Sequence, residues 1–283
     1  MIPTNHRLFV SFSGGKTSAY MARRLRDTHK GPLVFGFANT GCEDERTLVF
    51  ADKCDREWGL DLVWLEALVH PTPRVGTTHK IVNFETAARN GEPFESVIKK
   101  YGIPNQKFPH CTRELKERPI RSYLKSLGWD QVLMAIGIRA DEPTRIREGA
   151  AEKFRMIYPL ASMFPTTKAE INDWWEEQPF QLGMMEHEGN CTWCWKKSFL
   201  KLHRIANEHP ERFAFPLRME TTYWRDRKGN KQVFFRGSRS ALDIMAQAKL
   251  TGLVVLPERP DENSGCSESC EAFMGVEDDT ADY

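Results

Sequence analysis

At 283 residues the chain is long enough for one large domain or a domain with an appendage. A composition of 40% hydrophobic and 28% charged residues excludes a wholly disordered chain, and no apolar run approaches the ~20 residues that span a bilayer. Forty Lys and Arg against 39 Asp and Glu leave a net charge of +1, which points neither toward nor away from nucleic acid.

The N-terminus leads directly into a strand-like segment with no signal-peptide core, so a cytoplasmic protein without membrane contact is expected. Leu8-Phe9-Val10-Ser11-Phe12 is a short apolar run ending at a glycine pair, the pattern of a buried strand. Residues 17–25 carry helical spacing, with Tyr20, Met21 and Leu25 on one side. Leu33-Val34-Phe35-Gly36-Phe37-Ala38 reads as a second strand, closed by Asn39-Thr40-Gly41. A helix over 43–58 has acids in its first turn, where the macrodipole favours them, and Gly59 at its end. Leu62-Val63-Trp64-Leu65 is a third strand. This alternation predicts an α/β fold: a doubly wound parallel sheet with helices on both faces.

The stretch 70–109, with five prolines, reads as an insertion or loop over the sheet edge with a helix near 93–100. A helix over 112–127, a strand over 131–138 and a Trp-rich helix over 168–177 follow. From Gly189 the alternation fades into a basic helix, a hairpin around Gly229-Asn230 and an acidic tail. The reading is an α/β domain over 1–185 and a smaller basic, cysteine-containing region over 186–283 that ends in the acidic tail.

Ser13-Gly14-Gly15-Lys16-Thr17-Ser18 sits between the first strand and first helix, an arrangement suited to anions. Glycines let the backbone approach a phosphate, and amides and the helix dipole point at negative charge. Ser11, Ser13, Thr17 and Ser18 add hydroxyls, and Lys16 a point charge. The bland alternative is a tight turn that binds nothing, but a turn needs neither the hydroxyls nor the lysine. A nucleoside-triphosphatase P-loop would need glycine where Val10 stands.

The loop resembles the pyrophosphatase (PP) loop, Ser-Gly-Gly-x-Asp/Thr-Ser, of the adenine nucleotide α-hydrolase superfamily. Further segments resemble the phosphoadenosine phosphosulfate (PAPS) reductase family in the same order: Phe37-Ala38-Asn39-Thr40-Gly41 with Glu43, Glu45 and Thr47; His110-Cys111-Thr112-Arg113-Glu114-Leu115-Lys116; Gly137-Ile138-Arg139-Ala140-Asp141-Glu142 with Arg145; and Tyr158-Pro159-Leu160 with Ile171 and Trp174-Trp175. The resemblance implies that residues 13–18 hold phosphates, that Phe37, Asn39 and Thr40 seat the adenine, and that Gly137, Arg139 and Arg145 face a phosphate or sulfate. Lys16, Arg139 and Arg145 are the catalytic candidates, because fixed cations suit a transferring phosphoryl group. The bland reading of either arginine is a surface ion pair.

Two departures matter. Sulfonucleotide reductases carry a degenerate loop and a C-terminal Glu-Cys-Gly segment, whereas here the loop is intact and the tail reads Ser264-Gly265-Cys266-Ser267-Glu268-Ser269-Cys270. The resemblance therefore leans toward ATP-using relatives, which include DNA phosphorothioation and tRNA thiolation enzymes. The expected function is ATP binding with Mg2+, adenylation of an acceptor with pyrophosphate release, and sulfur transfer from a sulfur donor. The alternatives are a reductase that forms sulfite with a thioredoxin-like partner, and a non-catalytic nucleotide- or nucleic-acid-binding module. A nucleic acid and a small metabolite both remain open as the acceptor.

In a cytoplasmic setting the seven cysteines would be mostly reduced, and clustered ones read as metal ligands or catalytic thiols. Cys191-Thr192-Trp193-Cys194 is one close pair, and Cys266 with Cys270 another. Such spacing suits zinc or an iron–sulfur cluster, and Lys196 and Lys197 would offset thiolate charge. The resemblance implies a 4Fe–4S cluster on Cys111, Cys191 and Cys194. Thr112 stands where the family's iron-binding branch has a second cysteine, so the fourth ligand is missing or comes from Cys266 or Cys270. Zinc on Cys191, Cys194, Cys266 and Cys270 is the alternative, and cysteines that merely pack the third. Cys54 reads as a small core residue, and Cys42 has no obvious partner.

Trp193, Trp195, Lys196, Lys197, Lys201, His203 and Arg204 place rings and cations on one segment, which Lys228, Lys231, Arg236 and Arg239 would extend. Such a patch can grip nucleic acid, against the commoner reading of an amphipathic helix with its lysines in water.

Overall fold

The computed structural model describes residues 6–252 apart from 186, 190 and 227, and the side chain at 150. Strands β1 (Arg7–Ser11), β2 (Leu33–Asn39), β3 (Val63–Leu68), β4 (Thr78–Val82), β5 (Val132–Ala135) and β6 (Met156–Ile157) form one sheet in the order β4-β3-β2-β1-β5-β6. All neighbours pair in parallel except β3 and β4. The predicted α/β sheet is therefore present, with one antiparallel edge.

Strand geometry explains the near-continuous apolar runs. Successive side chains point to opposite faces, and helices cover both faces. Leu8, Val10 and Phe12 face one core with Phe35, Phe37, Trp64 and Ala135, under α1 (Lys16–Thr28), α2 (Glu45–Trp58) and, after the helices named below, the Trp-rich helix. Phe9 faces the other with Leu65, Val132, Met134 and Ile136. Helix α2 begins at Asp44, whose side chain accepts from the Arg46 amide, and stops at Gly59 in the left-handed region.

Strand β4 went unmarked in the sequence because it is polar and outermost. Lys80 and Ile81 lie exposed, and only Val82 is buried. Residues 70–109 are thus not simply a loop: they hold β4 and α3 (Glu92–Tyr101). The predicted helix over 112–127 is present, with one irregularity: a π segment at Arg113–Glu117, where the Arg118 amide donates to Arg113 O, before it continues as α4 (Arg118–Ser126).

Downstream come α5 (Glu148–Phe154), α6 (Pro159–Ser162), the Trp-rich α7 (Lys168–Glu176), α8 (Phe199–Glu208), α9 (Ala214–Thr222) and α10 (Ala241–Thr251). A third core joins residues from both parts of the chain: Phe94, Val97, Ile98 and Leu115 pack with Trp193, Leu202, Phe213, Phe234 and Ile244. No helix of the described residues is long and apolar enough to cross a membrane.

Glu220 pins that third core. Its carboxylate, almost fully buried, accepts from the Phe234 amide at 2.9 Å and the Ala241 amide at 2.7 Å. Burial pushes its pKa from 4.5 up to about 7, against the two amide bonds. Between those values the folded chain holds a proton that the unfolded chain has released, so stability falls as pH rises through the window. Denaturant unfolding at pH 5 and pH 8 is expected to show a loss of up to roughly 3 kcal/mol from this group. Glu220→Gln should flatten that difference; an unchanged difference would assign the pH dependence elsewhere.

Candidate functional site

The loop 13–18 leaves the carboxyl end of β1, the strand at which the order reverses between β2 on one side and β5 on the other. In open α/β sheets ligands bind at this crevice. The loop is shaped from within by Ser18, which is fully buried. Its Oγ accepts from the Ser13 amide at 3.1 Å and the Ser13 hydroxyl at 3.0 Å, and donates to Gly15 O at 3.0 Å. Gly14 has φ +82°, and a Cβ there would stand 2.5 Å from Thr47 Cγ2. Only glycine meets both demands. Helix α1 starts after Gly15 with no side-chain cap and no acid in its first turn. Its first carbonyl, Lys16 O, accepts from the fully buried Trp175 indole at 3.0 Å, which fixes α1 against α7.

The segment after β5 closes over the loop. Gly137 packs on the start of α1, where a Cβ would meet Ser18 Cα at 3.4 Å, an ordinary contact distance. Arg139, 7% exposed, sends Nη1 to within 3.4 Å of Thr17 Oγ1 and pairs with Asp141 and Glu142. A buried guanidinium thus stands directly over the loop, not in a surface ion pair. Arg145 pairs with the same Glu142 and lies nearer the surface.

The end of β2 holds a second set. Phe37 is buried beneath Gly14 and packs edge-on against Trp64. Asn39 is fully buried with its amide spent on Glu66 Oε1 (2.8 Å) and Ala88 O (2.9 Å), and its Oδ1 accepts from the Gly41 amide. Both residues shape the strand end from beneath. Thr40 is placed differently. It donates its hydroxyl to Glu43 at 2.8 Å, and the same Oγ1 lies 3.8 Å from Cys191 Sγ.

Cys191 reaches Thr40 because residues 42–43 and 191–192 run side by side, with Glu43 bridged to Cys191 and the Thr192 amide on Cys42 O. An ion network holds this approach. Arg212 contacts both Asp44 (2.9 Å) and Glu188 (2.7 Å), and Arg46 contacts the same two carboxylates. Although burial opposes it, the bonds from Arg46 and Arg212 hold the Glu188 carboxyl down to about 2.

Cys111, Cys191 and Cys194 then line one cavity of about 20 Å³, together with Thr40, Thr112, Lys116 and Trp195. Burial raises the Glu43 carboxyl, opposed by the nearby Lys116 ammonium. Lys196 donates to Thr112 Oγ1 at 3.2 Å. The buried Trp195 carries an indole N–H with no hydrogen-bond partner, and buried donors of that kind are normally satisfied. Cys42 joins this neighbourhood: burial raises its thiol well above the usual value, and Cys191 adds to the rise. Cys54 is fully buried in the α2 core, as expected.

Among the described residues no group of three or more His, Cys, Asp or Glu stands close enough to hold a single metal ion. A cluster has its irons at separate corners, so its thiolates stand further apart than those of one ion. Three thiols around one cavity, two neighbouring ammonium groups and an unsatisfied N–H are the donor types that hold an anionic, sulfur-rich group, although about 20 Å³ admits little more than a water unless the walls part. Cys266 and Cys270 lie outside the described residues. Glu43, Lys116 and the Trp195 N–H were not assigned from sequence; Lys116 was visible in the Cys111 segment, but its burial was not.

No family model matches the chain. It is 33% identical over 282 residues to the uncharacterised nin region protein ORF290 of Escherichia phage lambda, covering 94% of this chain and 95% of that protein. An uncharacterised protein of Methanocaldococcus jannaschii is 26% identical over 135 residues, 48% of this chain and 23% of that protein. Among solved structures, a phosphoadenylyl-sulfate (PAPS) reductase from Candida auris in a phosphate complex is similar over 62% of this chain and 73% of that chain, with a TM-score of 0.39 and 16% identity. By the extent of the first of these matches, the chain belongs to the family of the phage lambda nin region protein ORF290.

Proposed function

We propose that the chain is a PAPS-reductase-like PP-loop enzyme that binds ATP with Mg2+, adenylates an acceptor and supports sulfur transfer to it. The observation that carries this reading is the Arg139 guanidinium, buried within 3.4 Å of Thr17 Oγ1, over a glycine loop at the sheet's reversal point. The loop's amides and Lys16 would hold the β- and γ-phosphates, and Arg139 would neutralise charge that builds on the α-phosphoryl group. An acceptor oxygen attacks the α-phosphorus, the bond to the β-phosphate oxygen breaks, and pyrophosphate leaves. A sulfur nucleophile then replaces the adenylated oxygen at the acceptor's carbon, releasing AMP.

The thiol cavity supports the second step, because Thr40 belongs both to the β2 end and to the cavity wall. Cys111, Cys191 and Cys194 would hold an iron–sulfur cluster, with Trp195 donating to it and Lys116 and Lys196 offsetting its charge. Such a group, when bound, would supply sulfur or electrons beside the activated acceptor. Zinc on the four cysteines of the two close pairs is the competing arrangement. The sulfite-forming reductase reading would draw its redox thiol from the tail, which lies outside the described residues.

Wild-type protein given ATP labelled in the γ-phosphate is expected to release labelled pyrophosphate once the acceptor is present. Lys16→Ala and Arg139→Ala should each lower kcat/KM by about 10²–10³-fold. Pyrophosphate release that neither variant slows would refute the reading.

Protein purified without oxygen is expected to contain iron and acid-labile sulfide in equal amounts, with broad visible absorption. Cys111→Ser and Cys194→Ser should each lose the colour while keeping the wild-type circular dichroism. A colourless wild type containing zinc would replace the cluster with the zinc site.

A further inference from the structure

The sequence marks rings and cations over 193–204, and the structure removes most of them from solvent. Trp193 and Trp195 are 2% and 6% exposed and belong to the third core. Lys197 is buried with Nζ on His187 O, Lys201 is buried, and Arg239 lies over the Phe199 ring at 4.6 Å. This half of the patch cannot stack a base.

The hairpin that follows is different. The Asp226 amide donates to Asn230 O, Arg225 is bridged to Lys231, and Asp226 Oδ1 accepts from the Lys228 and Asn230 amides. The described residues of the hairpin are thus held by their own bonds, and beside them an indole stands outward: Trp224 is 51% exposed. The Arg225 guanidinium stacks on this ring at 4.0 Å, and Lys228 and Lys231 are exposed beside it in sequence.

Gln232 ties the hairpin to the loop 102–110. Its amide donates to Trp224 O at 2.8 Å, and its Oε1 accepts from the Ile103 amide at 2.7 Å. That loop exposes a second ring, Phe108 at 65%, and a further cation, Lys107. It is braced by His110, whose Nε2 lies 3.1 Å from Gly102 O, and the next residue is Cys111 of the thiol cavity. Two outward rings and four cations thus lie on two joined loops, of which the 102–110 loop leads into Cys111 of the cavity wall. The acids on these elements are engaged: Asp226 in the turn, and Glu95 of α3 with Tyr223 and Arg218.

We propose that these joined loops bind single-stranded nucleic acid. Bases stack on Trp224 and Phe108, and phosphates follow Lys107, Arg225, Lys228 and Lys231. The flat rings favour this ligand over an acidic peptide, which would need only the cations, and over a duplex, whose base faces are already stacked. The local excess of cations contrasts with a whole-chain charge of +1. The strand's role as the acceptor rests on the nucleotide-activating reading above; its binding does not.

The test is fluorescence anisotropy of the full chain, without ATP, against labelled RNA and DNA single strands of roughly 16 nucleotides. A duplex of the same sequence and polyglutamate serve as competitors. Single strands are expected to bind with affinity that falls as salt rises. Trp224→Ala should weaken binding by about 5- to 150-fold, from the ~1–3 kcal/mol of one stacked base. The double variant Lys228→Glu, Lys231→Glu should weaken it further and flatten the salt dependence. Both sites are exposed, and circular dichroism verifies that the variants fold. Absent single-strand binding, binding untouched by both variants, or equal competition by duplex or polyglutamate would overturn the proposal. Calorimetry with ATP on the same preparation separates the two readings: loss of ATP binding alone overturns the nucleotide site, and loss of strand binding alone overturns this one.

Discussion

The site depends on one hydroxyl. Ser18 Oγ is buried and engaged three times, by the amide and hydroxyl of Ser13 and by Gly15 O. These bonds curl the chain back on itself before α1 begins, so the loop has its shape before any ligand arrives. Losing a bond at such a site leaves buried polar groups unpaired, at about 1–3 kcal/mol each. Everything else is stacked on that turn: Thr47 and Phe37 press on Gly14, Gly137 rests against Ser18, and Arg139 spans to Thr17. A side chain at Gly14 would separate these layers.

How much of this was legible in the sequence depended on whether a residue's role is local. The glycine loop, the strand runs and the acid-rich start of α2 are written in neighbouring residues, and those elements stand where the periodicity put them. Strand β4 was hidden because an outer strand exposed to water has no apolar alternation to betray it. Asn39 and Phe37 are at the end of the strand, as the motif implied, yet their side chains are spent on Glu66, Ala88 and Trp64. No spacing rule shows where a side chain's hydrogen bonds go once distant segments arrive. The aromatic patch divided for the same reason: Trp193 found Phe94, Phe215 and Phe234, whereas the Trp224 ring stays half exposed under the Arg225 guanidinium.

The thiol cavity shows how tertiary structure can gather what sequence leaves scattered. Eighty residues separate Cys111 from Cys191, and the two meet through a bridge at Glu43 and an ion network that fixes the approach to Cys191. The network combines four charges from three parts of the chain, Asp44, Arg46, Glu188 and Arg212. Removing Arg212 would leave the buried Glu188 carboxylate short of a counter-charge, a larger penalty than the net worth of the pair. The cavity's polar donors are thereby held in place at some distance from the residues that hold them.

The π-turn at Arg113–Glu117 has a consequence for how this wall came to exist. Such a turn is an α-helix with one residue too many, accommodated without breaking the coil. Cys111, Thr112, Leu115 and Lys116 all face the cavity across that widened coil. Removing a single codon there would restore ordinary winding and rotate the cysteine and the lysine apart, while α4 could keep its seat on the sheet. The chemistry of this surface can thus be gained or lost by a one-residue insertion or deletion that leaves the rest of the fold intact.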